Sequence, residues 1–374
     1  MTKEKELIIL GLMSGTSVDG LDGALVKFYK NPFKMELLDY ISIDYSQEER
    51  DYILYSMDPA RKLEDLCVIH KKLGVLFGEK ANKIIEKMNY DYRKIDYISS
   101  HGQTLFHCPE EGASLQMGEL AEIAAITGID TIGDFRPSDL AYGGQGAPLV
   151  PFVDGIIYRG QENRLLLNLG GMANMTYVPE KGEVFAFDSG PANVWMNEAC
   201  LYYSDGRVSF DKDGRWALKG QVCEKMLDEL FKWDEYLEIK PPKSTGREYY
   251  TRETLHVYLK RYKLDKYDAL ATLTEYSLRT VLMAIEDYVL KNHRVDRMLV
   301  SGGGVHNPYI MEGFKRQLDF PVEELENADG KEAMAFALLG YNFINRLTNN
   351  EPRATGADRK VVMGKLALTS GRRG

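Results

Sequence analysis

Gly11-Leu-Met-Ser-Gly-Thr-Ser-Val-Asp-Gly-Leu-Asp-Gly23 lies between an apolar run, Leu7 to Leu10, and a β-prone run, Ala24-Leu-Val-Lys-Phe-Tyr29. Two strand-forming runs joined by a small, hydroxylated and acidic turn predict a β-hairpin. Gly and Ser leave no bulk over the backbone, so the amides of such a turn can face a phosphate. A Walker P-loop is excluded, because no Gly-Lys-Ser/Thr follows and the next element is a strand. A dinucleotide fingerprint is excluded on the same ground. At this point a plain Gly-rich hairpin remains the alternative reading.

The 374 residues, 44% hydrophobic and 28% charged, suffice for two domains with substantial cores. A net charge of −9 argues against sequence-independent nucleic-acid binding, which needs a basic surface. It leaves room for an anionic ligand held by helix N-termini or loop amides. No segment approaches the ~18 apolar residues of a membrane span, and the N-terminal apolar run is too short for a signal-peptide core. Cys67, Cys108, Cys200 and Cys223 lie far apart without metal-ligand spacing, and the six histidines include no H-x-x-x-H pair. A reducing, cytoplasmic setting and a protein without zinc are expected.

The first half reads as the hairpin over 7–29, a strand near Met35–Tyr45, and a long helix from about Leu63 to Met88. Its apolar face is read as Leu63, Leu66, Cys67, His70, Leu73 and Phe77. A buried strand, Ile95-Asp-Tyr-Ile-Ser-Ser100, ends at His101-Gly-Gln-Thr104. A helix over Leu120–Thr127 precedes a short strand, Asp130–Asp134. The second half repeats this grammar. Arg164 to Val178 is again strand, small turn at Gly170-Gly171, strand; a helix follows at about Leu270–Lys291; Val295 to Ser301 is a strand ending in Gly302-Gly-Gly304. The second half is longer, and the surplus is placed in the polar stretch between Tyr203 and Tyr267. Two similar α/β halves imply two related domains. No linker marks the boundary, and Gly143-Gly-Gln-Gly-Ala-Pro-Leu-Val-Pro151 reads as a hinge or an active-site loop.

Asp188 follows the apolar run Val184-Phe-Ala-Phe187 and precedes Ser189-Gly-Pro-Ala-Asn193. Pro191 suits the first position of a helix. A carboxylate at a strand end beside a helix start is well placed for a general base, or for a helix-capping role. Asn307 is read as the cap of a helix starting at Pro308. Asp134-Phe-Arg-Pro-Ser-Asp139 offers two carboxylates around Arg136, which is also the pattern of an internal ion pair.

Taken together, Met13 to Asp22, His101-Gly-Gln-Thr104, Gly133-Asp-Phe-Arg136, Gly143 to Pro151, Asn168-Leu-Gly-Gly-Met-Ala-Asn-Met-Thr176, Phe187 to Asn193, Lys243-Ser-Thr-Gly-Arg-Glu248 and Ser301 to Gly304 occur in this order. Over nearly its full length the chain closely resembles the 1,6-anhydro-N-acetylmuramic acid kinases, and an ordered series of motifs is far more specific than any one of them.

The resemblance implies an α/β fold of two related actin-like ATPase (ribonuclease H-like) domains around a cleft. The first is expected over 1–138 with a returning C-terminal segment, 345–374, and the second over 139–344. It implies a kinase of cell-wall sugar recycling. A water opens the 1,6-anhydro bridge, and the freed 6-oxygen takes the γ-phosphoryl group of ATP. Asp188 would be the catalytic base. ATP would lie against Gly11, Ser14, Gly15, Thr16, Ser17, Asp19 and Gly20, against Gly170 and Gly171, and, at its purine, against Gly302, Gly303 and Gly304. Mg²⁺ would sit by Asp19 or Asp22. Thr104, Arg136, Gln145 and Glu332 are the candidate sugar contacts. Without a Walker lysine, loop amides and the metal must carry the phosphate charge. A homodimer is expected, without nucleic acid or membrane as partner. The hinge of domain closure is expected around Asp139–Gln145. A kinase for another anhydrosugar such as levoglucosan, or an ATP-gated binding protein, are the alternatives.

Overall fold

The computed structural model describes residues 6–15, 18–58, 60–325 and 330–371; Thr16 and Ser17, two expected phosphate contacts, lie outside the described residues. The chain divides into two compact units. One runs to Val153 and takes in the described residues from Gly330 onward, and the other runs from Asp154 to Leu325.

In the first unit, β1 (Leu7–Met13), β2 (Gly20–Tyr29) and β3 (Lys34–Asp44) form an antiparallel meander. The expected hairpin is there, with Leu10 opposite Leu25 and Met13 opposite Asp22. β4 (Tyr97–Ser100) adds parallel to β1, with Leu10 opposite Ile98. A small separate hairpin, β5 (Gln103–Cys108) and β6 (Ala113–Met117), follows, and then β7 (Thr131–Gly133) adds parallel to β4. The central strand is apolar on both faces because both are covered; Ile9, Leu10 and Leu12 are fully buried.

The second unit repeats the plan. β8 (Arg164–Leu169), β9 (Met172–Val178) and β10 (Phe185–Pro191) form the meander; β11 (Arg297–Ser301) adds parallel to β8, and β12 (Val322–Glu324) parallel to β11. The order β10-β9-β8-β11-β12 matches β3-β2-β1-β4-β7 strand for strand. The two-fold repetition expected from the sequence is thus present in the topology. β13 (Lys365–Ala367) completes the first unit's sheet, antiparallel to β7.

Several expectations are corrected. The division falls at Val153, later than 138, and the helix Lys331–Ile344 belongs to the first unit. That helix rests on β1, where Gly11 lets its backbone approach: a Cβ on Gly11 would collide with the Ala333 carbonyl. The helix Leu63–Lys87 is present, but its buried face runs through Ile69, Leu73, Phe77, Ala81 and Ile84, and Leu63 is 84% exposed. The expected Leu73 and Phe77 are on that buried face, but Leu63, Leu66, Cys67 and His70 of the first turns are not. The segment expected to be a hinge is pinned inside the first unit. Fully buried Asp139 accepts from Asn350 Nδ2 (2.8 Å), Thr355 Oγ1 (2.9 Å) and the Gly146 amide (2.9 Å). A buried carboxylate with three donors ties residues 139–146 to the C-terminal segment.

The surplus of the second unit, expected between Tyr203 and Tyr267, holds the helices Glu224–Trp233 and Arg252–Tyr262. It is anchored by aromatic packing rather than being a polar loop. Trp195 packs against Trp233, Tyr250 and Tyr276, with ring centroids 5.4, 5.3 and 5.8 Å away. Asn307 caps the helix Pro308–Gln317 as expected, accepting from the Tyr309 amide at 3.1 Å.

Candidate active site

Asp188 lies within β10, not at a strand end. The strand continues to Pro191, and the following helix starts only at Asn193. Continuation is possible because the β9–β10 ladder shifts register between Asp188 and Gly190, leaving Ser189 as a bulge. Gly190 adopts φ +150°, a conformation that glycine tolerates without penalty. Bulges re-aim the neighbouring side chain. Here the Asp188 carboxylate meets two donors: Asn174 Nδ2 from β9 reaches Oδ1, and the Thr245 amide reaches Oδ2 at 2.9 Å.

The carboxyl keeps part of its surface open to solvent, yet the protein packed around it pushes its pKa up to about 6. Burial is the main cause; the two donors and the Lys243 charge pull it down, and Glu248 adds to the rise. A base that is ionised at neutral pH but close to its midpoint is suited to taking a proton from water. Lys243 and Thr245 come from a motif to which the sequence reading gave no role.

Gly170 and Gly171 form the β8–β9 turn. Its carbonyls face the start of the helix Asn193–Ser204: Gly171 O accepts from the Ala192 and Val194 amides (2.9 and 3.1 Å), and Gly170 O from the Asn193 amide (3.0 Å). Gly302 lies against the same turn's stem, where a Cβ would come 2.8 Å from the Leu169 carbonyl, and φ is +83°. Gly304 packs on the Leu169 side chain. A Cβ on Gly171 or Gly303 would instead meet nothing within 4 Å. The two glycine stretches expected to hold nucleotide are therefore adjacent, but only Gly171 and Gly303 present open backbone; Gly302 and Gly304 are needed for close packing.

In the first unit, His101-Gly-Gln-Thr104 braces the end of β1. Ser14 is 1% exposed, and its hydroxyl donates to Gln103 Oε1 (2.5 Å) while accepting from Tyr45 (2.8 Å). Its side chain is therefore spent internally. Gln103 Nε2 also donates to the Gly15 carbonyl at 3.3 Å. His101 Nδ1 is 3.2 Å from the Ser14 carbonyl and Nε2 is 3.0 Å from Arg136 Nη2. Burial, helped by the Arg136 charge, lowers the His101 pKa to about 3. The Arg136 pKa is drawn down to about 10 by burial, and its Nε has no hydrogen-bond partner among the described residues. The Asp134-Arg136-Asp139 grouping is thus no internal ion pair: Asp134 pairs with Lys365, and Asp139 serves the network above.

Thr104 accepts from Gln116 Nε2 at 3.3 Å, and Gln145 is held through its amide, which donates to the Thr355 carbonyl at 2.7 Å. Gly20 sits at the edge of the β2–β3 ladder, where a Cβ would come 2.7 Å from the Ile43 carbonyl. Asp19 is 71% exposed at its side chain, 3.7 Å from Arg50. Asp22 accepts from the Tyr40 hydroxyl at 3.0 Å. Glu332 is open to solvent, but burial of its carboxyl and, secondly, the charge of Asp22 raise its pKa. A cavity of about 790 Å³ beside His101, lined by Leu66, Cys67, Ser114, Gln116 and Leu120, has no counterpart in the sequence reading. Its walls come from segments far apart along the chain.

No group of three or more His, Cys, Asp or Glu side chains able to hold a metal occurs among the described residues. Mg²⁺ does not need one, because it binds through one or two carboxylates, substrate phosphates and waters. The electrostatically linked pair Asp22 and Glu332 fits that requirement better than ion-paired Asp19. No helix among the described residues is long and apolar enough to cross a membrane.

The family model for anhydro-N-acetylmuramic acid kinases matches residues 7–369. The anhydro-N-acetylmuramic acid kinase of Caldanaerobacter subterraneus subsp. tengcongensis is 40% identical, the match covering 98% of each chain. The enzyme of that name from Clostridioides difficile is 36% identical, over 96% of this chain and 97% of its own. Among solved structures, component A of (R)-2-hydroxyglutaryl-CoA dehydratase from Acidaminococcus fermentans overlays 89% of this chain and 96% of its own, at 9% identity and a TM-score of 0.43.

Proposed function

The chain belongs to the anhydro-N-acetylmuramic acid kinase family and is a phosphotransferase of that kind; on that premise we propose that Asp188 is the base that activates the water of its reaction. A proton passes from water to the Asp188 carboxylate as the water oxygen bonds to the anomeric carbon. The bond from that carbon to the bridging 6-oxygen breaks, and the freed oxygen takes the γ-phosphoryl group of ATP. The products are N-acetylmuramic acid 6-phosphate and ADP.

The single observation that carries this role is the clamping of Asp188 at both carboxylate oxygens, by Asn174 and the Thr245 amide, with its pKa raised to about 6. Positioning supplies most of the remaining catalysis in phosphoryl transfer. The amides of the turn at Gly170-Gly171 serve the phosphates, and the open backbone at Gly303 serves the purine. Asp22 and Glu332 would hold Mg²⁺, whose charge would offset that of the phosphates. Arg136, oriented by His101, and Thr104 contact the sugar.

Asp188→Asn tests the reading. Turnover of anhydro-N-acetylmuramic acid should fall by at least ~10²–10⁴-fold, the usual contribution of a general base, with ATP binding by calorimetry retained. Near-normal turnover in that variant would remove Asp188 from the role.

A further inference from the structure

Lys243 is 7% exposed, and the reaction above gives its ammonium nothing to do. That ammonium donates to the Tyr236 carbonyl at 3.2 Å and, more weakly, to the Leu237 carbonyl at 3.4 Å. It also stands over the rings of Tyr236 and Tyr288, 4.4 and 5.1 Å from their centroids. The Tyr236 hydroxyl donates to the carbonyl oxygen of Asp188 at 2.8 Å. The Asp188 amide in turn donates to the carbonyl of Lys243 at 3.1 Å. Lys243, Tyr236 and Asp188 therefore close a ring: ammonium to carbonyl, hydroxyl to carbonyl, amide to carbonyl. Two residues beyond Lys243, the Thr245 amide holds the Asp188 carboxylate.

A buried lysine is costly unless its donors are satisfied. Here the closer of its two carbonyl acceptors belongs to Tyr236, whose hydroxyl leads on to Asp188. The bulge at Ser189 takes the strand around Asp188 out of regular ladder pairing, so something else must fix that backbone. We propose that Lys243 is a positioning residue for Asp188, its ammonium holding Tyr236 and its carbonyl holding the Asp188 amide so that the carboxylate stays aimed at the water. This rests on the reading of Asp188 as the base.

The groups facing Asp188 are Asn174 from β9, Tyr236, Lys243 and Thr245 from the inserted segment, and the Glu248 charge from the same loop. Those facing the Lys243 ammonium are the Tyr236 and Tyr288 rings and the charges of Asp188 and Asp234. Lys243 is thus the one cation acting on Asp188 among these groups, and it favours the ionised base.

The test compares Lys243→Met, Lys243→Arg and Asp188→Asn in the full chain, measuring kcat and KM for both substrates across pH. Lys243→Met should lower kcat by roughly 10- to 100-fold, the order that a misplacement of about 1 Å costs, with both KM values held within about threefold. The acid limb of its kcat/KM profile should move to higher pH, and Lys243→Arg should bring the limb back. A purely structural lysine would lower thermal stability and leave the limb of the residual activity in place; that result, or wild-type kcat in Lys243→Met, overturns the proposal. Should Lys243→Met not fold, Tyr236→Phe cuts the same ring with the lysine intact, and wild-type kcat there is equally fatal. An inactive Asp188→Asn beside a wild-type Lys243→Met removes the positioning role alone. An active Asp188→Asn removes the base and, with it, the reason to position it.

Discussion

His101 and Arg136 fix each other's state. A carbonyl can only accept, so the 3.2 Å contact to Ser14 O puts the His101 proton on Nδ1, and Nε2 must then accept from Arg136 Nη2 at 3.0 Å. A neutral histidine orients the guanidinium without neutralising it. The guanidinium is left with a buried, unpartnered Nε among the described residues. On the proposal that Arg136 contacts the sugar, its partner would be the lactyl carboxylate, the only fixed negative charge there. Arg136→Met should lower kcat/KM on anhydro-N-acetylmuramic acid by roughly 10- to 100-fold, as expected for a lost charged hydrogen bond of about 1.5–3 kcal/mol. On 1,6-anhydro-N-acetylglucosamine, which lacks the lactyl group, the change should be small. Equal losses on the two sugars would refute a carboxylate-reading arginine.

The pH profile follows from Asp188. Its pKa is raised, chiefly by burial, to about 6, and a base works only when deprotonated. Activity should therefore be full at pH 7.5–8 and decline as pH falls through about 6, rather than through the usual carboxylate range near 4. A kcat/KM profile flat down to pH 5 would be incompatible with this base.

The architecture was legible because it is written in apolar runs and small turns. Leu7–Leu10 and Arg164–Leu169 are central strands whose partners follow immediately in sequence. Asp188 was singled out through its motif, but its location within the strand was not legible. Pro191 reads as a helix start, and only the bulge at Ser189, a matter of strand pairing, carries the strand past it. The hinge was misread because Gly-rich 143–146 looks mobile in sequence. What holds it is Asp139 meeting Asn350 and Thr355, contacts more than 200 positions apart along the chain. Lys243 drew no reading because its link to Asp188 is a main-chain contact made only by the fold.

Glycines with the same sequence signature should behave in opposite ways. Gly11→Ala places a methyl against the Ala333 carbonyl, backbone that cannot step aside, so stability should fall by about 2 kcal/mol or more, read as a lower melting temperature. Gly171→Val meets nothing within 4 Å at its Cβ and should melt within a few degrees of the wild type. Its ATP affinity should nevertheless drop by about tenfold or more, because the side chain covers the turn's amides. A Gly171→Val protein that binds ATP normally would show that this turn does not face the phosphates.

The proposed Mg²⁺ requirement should distinguish Asp22 from Asp19. Asp22 is the carboxylate whose charge reaches Glu332 and which is oriented by the Tyr40 hydroxyl at 3.0 Å; Asp19 is exposed and close to Arg50 at 3.7 Å. Mg²⁺ keeps most of its waters and depends on very few protein oxygens, so losing one should be costly. Asp22→Asn should raise the Mg²⁺ concentration for half-maximal rate by about tenfold, equivalent to about 1.4 kcal/mol. Asp19→Asn should change it by less than about twofold, as befits an exposed ion pair worth under about 1 kcal/mol. Because the Asp22 charge reaches Glu332, Glu332→Gln should raise the Mg²⁺ requirement in the same direction as Asp22→Asn if both carboxylates serve the metal. Titrations of Mg²⁺ at saturating ATP and sugar decide the matter: a shifted requirement in Asp19→Asn with an unshifted one in Asp22→Asn would transfer the site to Asp19.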